Sequence, residues 1–130
     1  MRGQVSVEFM IFMSILIIIV SIFLWSNLSF QYKMIGVKSN VEAQELCDEI
    51  AFEINSAVRA GEGYRRRFYV DENLYGASDF EISVEYYSVF IDWDDKSATS
   101  SIIIKNITSG TIKKGFWNTI ENINGELHVS

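Results

Sequence analysis

The chain has 130 residues, 48% of them hydrophobic, and its 11 basic and 17 acidic side chains leave a net charge of −6. That balance excludes a nucleic-acid binder, which needs a basic surface to neutralise phosphates, and the single cysteine, Cys47, excludes an internal disulfide or a CxxC motif. The first thirty residues are unsuited to a soluble core, so roughly 100 remain for a globular part, enough for one small sheet-on-helix domain and too few for a large enzyme cleft.

Taken in order, residues 1–3 form a short cationic head carrying Arg2. Gln4, Ser6 and Glu8 alternate with apolar residues, and residues 9–25 then contain no charge and only two polar side chains, Ser14 and Ser21. A carboxylate at the edge of such a run is costly in lipid, so Glu8 is expected to have a function. The run falls slightly short of the ~20 residues of a spanning helix, but Val5, Val7, Leu28 and Phe30 extend it at both ends. A secretory signal has a longer head, a shorter apolar core and small residues at a cleavage site after that core. Ser-Asn-Leu-Ser-Phe-Gln after Trp25 offers no such site, and the apolar run is expected to stay in the mature protein. Arg2 places the N-terminal side in the cytoplasm, with Lys33 and Lys38 pulling the other way.

The helical pattern continues past the apolar run. Ala43, Leu46, Cys47, Ile50, Ile54, Ala57 and Val58 recur at three- and four-residue spacing, and Glu42, Glu45, Asp48, Glu49, Glu53 and Asn55 take mostly the other positions. No proline forces a kink. Gly36 costs about 1 kcal/mol relative to alanine without stopping the helix; Gly61 or Gly63, with Arg59 in the last turn, stops it. The expectation is a helix from about residue 5 to 60, apolar on every face in its first half and on one stripe in its second.

After Gly63 the period becomes alternating. Residues 66–70 read as a strand and 71–78 as a loop. In residues 80–85, Phe80, Ile82 and Val84 share one face and Glu81, Ser83 and Glu85 the other. Residues 87–93 follow as the partner of a hairpin or bent meander, with a turn at Asp94-Asp95-Lys96-Ser97. Residues 101–105 read as a β-branched strand and 106–110 as a loop. Residues 111–123 are ambiguous between a short strand and an irregular connection, and Asn124-Gly125 turns into an edge strand over 126–129. The fold class is α+β: a long N-terminal helix, with four or five antiparallel strands forming a small C-terminal domain on the 43–58 stripe.

Gly3-Gln4-Val5-Ser6-Val7-Glu8-Phe9 resembles the archaeal class III signal peptide, Gln-x-Ser-x-Glu-x-x-x-Leu, with Gln4, Ser6 and Glu8 matching and Phe12 standing where the pattern has Leu. With the apolar run, the long helix and the C-terminal β domain, the chain resembles an archaeal type IV pilin-like protein over its whole length. The resemblance implies a leader of residues 1–3 removed by a membrane prepilin peptidase between Gly3 and Gln4. It also implies an apolar membrane and filament-core helix over 4–30, an amphipathic continuation over 31–61 and a β head over 62–130. Partners would be the peptidase, the membrane before assembly, and other pilin subunits in a surface filament used for attachment. Cutting at Gln4 exposes an ammonium one helical turn from Glu8. A first-turn carboxylate gains about 0.3–1 kcal/mol from the helix dipole, and removing one partner of a desolvated pair costs about 3–5 kcal/mol. The pair forms within one subunit or between two, and cyclisation of an N-terminal glutamine would abolish it. The alternative reading is a monomeric, membrane-anchored exported binding domain.

Two N-x-[ST] sequons occur, at Asn27 and Asn106; Asn106 falls in an expected exposed loop and Asn27 on the helix beside the apolar run. Asp92, Asp94 and Asp95 lack the glycine and distant glutamate of a calcium loop and read as a solvated turn. Arg65, Arg66 and Arg67 read as a solvated strand start, ahead of a contact for an acidic patch on a neighbouring subunit or for anionic lipid in the precursor. Cys47 reads as a core residue, and His128 as a lone residue on an edge strand. Tyr86, Tyr87, Phe90, Trp93, Phe116 and Trp117 read as core and intersubunit packing. No metal, cofactor or catalytic constellation is expected.

Overall fold

The computed structural model describes residues 2–77 and 79–130. Met1 of the expected leader and Ser78 of the expected loop lie outside the described residues, as does the side chain of Arg2. The chain divides into two compact units, Met1–Gly36 and Val37–Ser130. Helix α1 runs Arg2–Ala60. It ends as expected: Gly61 adopts φ +79°, the left-handed geometry that closes a helix at little cost only for glycine.

The first unit is helical, and its large apolar side chains from Val5 to Ile35 are all exposed. The second contains the striped end of α1 and, among its described residues, six strands: β1 (Arg65–Tyr69), β2 (Glu81–Glu85), β3 (Ser88–Trp93), β4 (Lys96–Ser101), β5 (Trp117–Ile123) and β6 (Glu126–Val129). They form two three-stranded antiparallel sheets, ordered β1-β5-β6 and β2-β3-β4. Three two-residue turns set the hairpin registers, at Tyr86-Tyr87, Asp94-Asp95 and Asn124-Gly125, each with positive φ at both residues. This is the turn geometry whose twist matches that of paired strands. Asn124-Gly125 is the favoured sequence for it; Tyr86-Tyr87 is not, and two exposed tyrosines hold the strained conformation.

The sequence reading misplaced one strand. The expected turn over 94–97 is only Asp94-Asp95, so Lys96 already pairs with Trp93, and the polar run Lys96–Ser101 is β4. The β-branched residues that follow leave the ladder because side chains and the turn capture them. Ile103 N–H donates to Asn55 Oδ1 at 2.8 Å, and Ile102 N–H donates to the Tyr87 carbonyl at 2.9 Å. The ambiguous stretch over 111–123 contains β5, the central strand of its sheet. β6 is less of an edge than expected, because Thr108 N–H donates to the Leu127 carbonyl and Val129 N–H to the Ser109 carbonyl, each at 2.9 Å.

Ala43, Cys47, Ile50, Ile54 and Ala57 of α1 are buried with Phe68, Val89, Ile91, Ile120, Leu127 and Val129 from the strands, one core shared by the helix stripe and both sheets. Asn122, buried in β5, donates to the Ala57 carbonyl at 3.0 Å and so satisfies one of the acceptors that every helix C-terminus leaves open. Gly110 has φ +88°, and a Cβ there would lie 1.7 Å from the Val129 carbonyl oxygen. Gly110→Ala is therefore expected to cost about 2–4 kcal/mol by combining backbone strain with overpacking. Gly61→Ala meets nothing within 4 Å and should cost only the left-handed strain, about 1–2 kcal/mol. Thermal melting of the two variants side by side checks the difference.

Candidate functional site

The N-terminal segment carries the residues the sequence singles out. Gln4, Ser6 and Glu8 are all helical and exposed, and the Gly3–Gln4 bond lies inside α1. Gln4 and Glu8 are four residues apart and share one face of the helix. Glu8 has no ion-pair partner among the described residues. The first turn of α1 holds no acidic residue. Glu8 thus lies one turn too deep for the dipole stabilisation expected of it, which fades within the first turn.

Four polar side chains along and just after the apolar run bond back to the helix itself. Ser14 Oγ donates to the Met10 carbonyl at 2.8 Å, Ser21 Oγ to Ile17 at 2.7 Å, and Ser29 Oγ to Trp25 at 3.1 Å. Asn27 Nδ2 donates to the Phe23 carbonyl at 2.9 Å. Back-bonding of this kind removes the cost of placing a hydroxyl or amide in an apolar medium. Glu8 is the carboxylate at the edge of this stretch, and it makes no ion pair among the described residues. By length and composition α1 is able to cross a membrane.

The other singled-out residues scatter through the second unit. Asn106 is exposed in the irregular segment after β4. Asp92 lies on β3 opposite Glu81, Asp94 and Asp95 form a turn, and the described residues contain no cluster of His, Cys, Asp or Glu suited to a metal ion. Cys47 is fully buried, and burial followed by the charge of Asp48 pushes its thiol up to about 11, which keeps it protonated and unreactive. His128 is not alone: its Nδ1 is 2.6 Å from Ser109 Oγ. Trp93 is core, with Nε1 donating to Ser39 Oγ at 3.2 Å, whereas Phe116 and Trp117 are exposed. Tyr69 and Trp117 stack at 5.6 Å on the outer face of their sheet, with the Arg67 guanidinium 5.3 Å over the indole.

Glu53 is what helical periodicity missed. It was expected among the polar positions, yet it is 4% exposed, with Arg66 Nε 3.3 Å from its Oε2 and no hydrogen bond to that oxygen. Burial raises its pKa above the ordinary carboxylate value, Arg66 opposes the shift and Glu49 adds to it. A carboxyl bound more tightly to its proton in the folded state than in the unfolded state costs stability when ionised. Stability from this group is therefore lowest above its folded pKa and recovers as pH falls toward the unfolded value. Glu53→Gln should leave stability at pH 7 unchanged or raise it, because Arg66 is half exposed and water replaces its partner. It should also flatten the pH profile on the acid side, as urea melts at pH 5 and pH 7 would show.

No protein-family model matches the chain, and neither a curated protein nor a solved structure matches it.

Proposed function

We propose that this chain is a structural subunit, major or minor, of an archaeal type IV-like surface filament, cut by a prepilin peptidase before Gln4 and polymerised through its N-terminal helix for surface attachment. The observation that carries the reading is the first unit: a helix apolar on all faces over residues 9–25, its two serines there bonded back to the helix, with one carboxylate, unpaired among the described residues, four residues from the position that cleavage would make an ammonium. Such a helix is stable in lipid before assembly and in a bundle of identical helices after it. The two surroundings are equally apolar, so transfer between them gains little hydrophobic free energy. Close packing and a charge pair between Glu8 and the Gln4 amine then select neighbours and register. The second unit would form an acidic coat, glycosylated at Asn106. Asn27, tied to the helix backbone, is the poorer acceptor.

Mass spectrometry of the N-terminal peptide, from membranes and from sheared surface filaments, tests this. Chains beginning at Gln4 in the sheared fraction support processing and polymerisation together. Chains still carrying Arg2, found only in membranes, favour the monomeric anchored binding domain and remove the role given to Glu8.

A further inference from the structure

Each sheet of the second unit has an outer strand with an unused hydrogen-bonding edge, and the two edges carry opposite charge. In the first sheet, the Tyr64 carbonyl accepts from Asn122 N–H, and Val70 donates to the Phe116 carbonyl and accepts from Gly115 N–H. Alternation therefore directs Arg66 and Phe68 to β5 as well, and leaves the N–H and C=O groups of Arg65, Arg67 and Tyr69 at the free edge of β1. In the second sheet the Tyr86-Tyr87 turn makes Glu85 and Ser88 a hydrogen-bonded pair, so Ile82 and Val84 present the free groups of β2. This edge has room beside it. It opens on a cleft of about 560 Å³ lined by consecutive residues 82–86 of the strand and its turn and by residues 105–107 and 110–112.

The side chains on these edges complement each other. Arg65, Arg67 and Tyr69 are exposed on the outer face of β1, and Glu81 and Glu85 on the outer face of β2. Arg65 already meets Glu121 at 2.7 Å, but with its side chain 72% exposed that pair is weak and replaceable. Glu81 sits directly across the hairpin from Asp92, like charge against like, and neither forms an ion pair among the described residues. Long unprotected edges are an aggregation hazard unless they are used.

We propose that β1 of one copy of this chain adds in parallel to β2 of the next, joining the heads edge to edge. Parallel pairing sets Arg67 opposite Ser83, bonded to Ile82 and Val84, with Arg65 opposite Glu81 and Tyr69 opposite Glu85, all on one outer face. Antiparallel pairing would put the arginines on the same face as Ile82 and Val84, and would bring Arg65 to the end of β2 where Lys105 stands. The contact joins two different surfaces, so each copy keeps a free β1 or β2 edge for a further copy and the contact propagates head to tail. It deepens the filament reading and rests on it for its setting, although the contact itself involves only the heads.

The test is disulfide trapping in the full chain, using Arg67→Cys together with Ser83→Cys and diamide as oxidant. Neighbouring strands are ~4.8 Å apart, within disulfide reach, and the native Cys47 is buried. The double variant should give a ladder of cross-linked multiples on a non-reducing gel, and each single variant should not. Adding Glu81→Lys, which also relieves the clash with Asp92, should leave the melting temperature unlowered yet cut the ladder about fivefold. Arg65→Glu in the same chain should restore it. No ladder from filaments whose chains begin at Gln4 overturns the edge pairing and leaves the filament reading standing. A ladder from membranes whose chains still carry Arg2 upholds the pairing and removes the filament reading. Cross-links to a chain of another mass, or a ladder indifferent to Glu81→Lys, overturn the pairing of identical copies through these charges.

Discussion

Glu8→Gln is expected to cut the yield of sheared filaments by about 10²-fold or more while leaving the melting of the head domain unchanged. The substitution keeps shape and polarity and removes only the charge. With Gln4 as the mature N-terminus, the ammonium of the adjacent subunit would lose its partner in the filament core. Breaking a desolvated pair by deleting one member costs about 3–5 kcal/mol, and every 1.4 kcal/mol is tenfold in an equilibrium constant. Nothing else in the chain replaces the partner, since Glu8 makes no ion pair among the described residues and the helix dipole is weak at its depth. Two controls make the result readable. Immunoblots of the membrane fraction show that the variant accumulates, and the mass of its N-terminal peptide shows that it is still cut before Gln4. Filaments at normal yield with a free Gln4 amine would remove the charge pair from the assembly mechanism.

Ile54→Ala should destabilise the head domain by about 2–5 kcal/mol, the cost of lost transfer energy plus an unfilled cavity. Ile54 is fully buried, in the cluster where the α1 stripe meets both sheets. A domain of this size has only about 5–15 kcal/mol of stability, and each kcal/mol shifts its Tm by roughly 4–8 °C. A fall of roughly 10–30 °C is therefore the expected reading in full-length protein held in detergent. Phe52→Ala, two residues away on the same helix and 61% exposed, should move Tm by only a few degrees, within the ~0.5 kcal/mol of an ordinary surface change. Equal effects from the two substitutions would mean that the stripe is not what seats the sheets.

The helix shows how far local pattern reaches. Its stop at Gly61 and its change from uniformly apolar to striped follow from spacing alone, and the buried set Ala43, Cys47, Ile50, Ile54 and Ala57 is the stripe read from the sequence. Turn chemistry served as well at Asn124-Gly125, whereas the β2–β3 hairpin was read from the closeness of two alternating runs and not from its Tyr86-Tyr87 turn. Turn chemistry failed at residues 96–105, where β-branched composition suggested a strand in Ile102-Ile-Ile104. The ladder instead uses Lys96–Ser101, because the register is set by the Asp94-Asp95 turn and the next residues are held by Asn55 and Tyr87. Asn55 and Glu42 were expected among the polar positions off the stripe, and Gln44 drew no reading. The structure has them bonded to Ile103 N–H, the Thr99 carbonyl and Tyr75 N–H respectively.

The sequence by itself determined the order of materials along the chain: an all-round apolar helix, a striped helix and a set of alternating strands, with Glu8 at the edge of the apolar run. Periodicity and turn signals act over a few residues and need no knowledge of the rest of the fold. Only the tertiary structure decided that the strands divide into two sheets, that Glu53 is buried, and that basic β1 and acidic β2 keep free edges. Those outcomes depend on pairings such as Arg65 with Glu121, between segments distant in sequence. A residue's own neighbours do not record which distant strand will take up its hydrogen bonds.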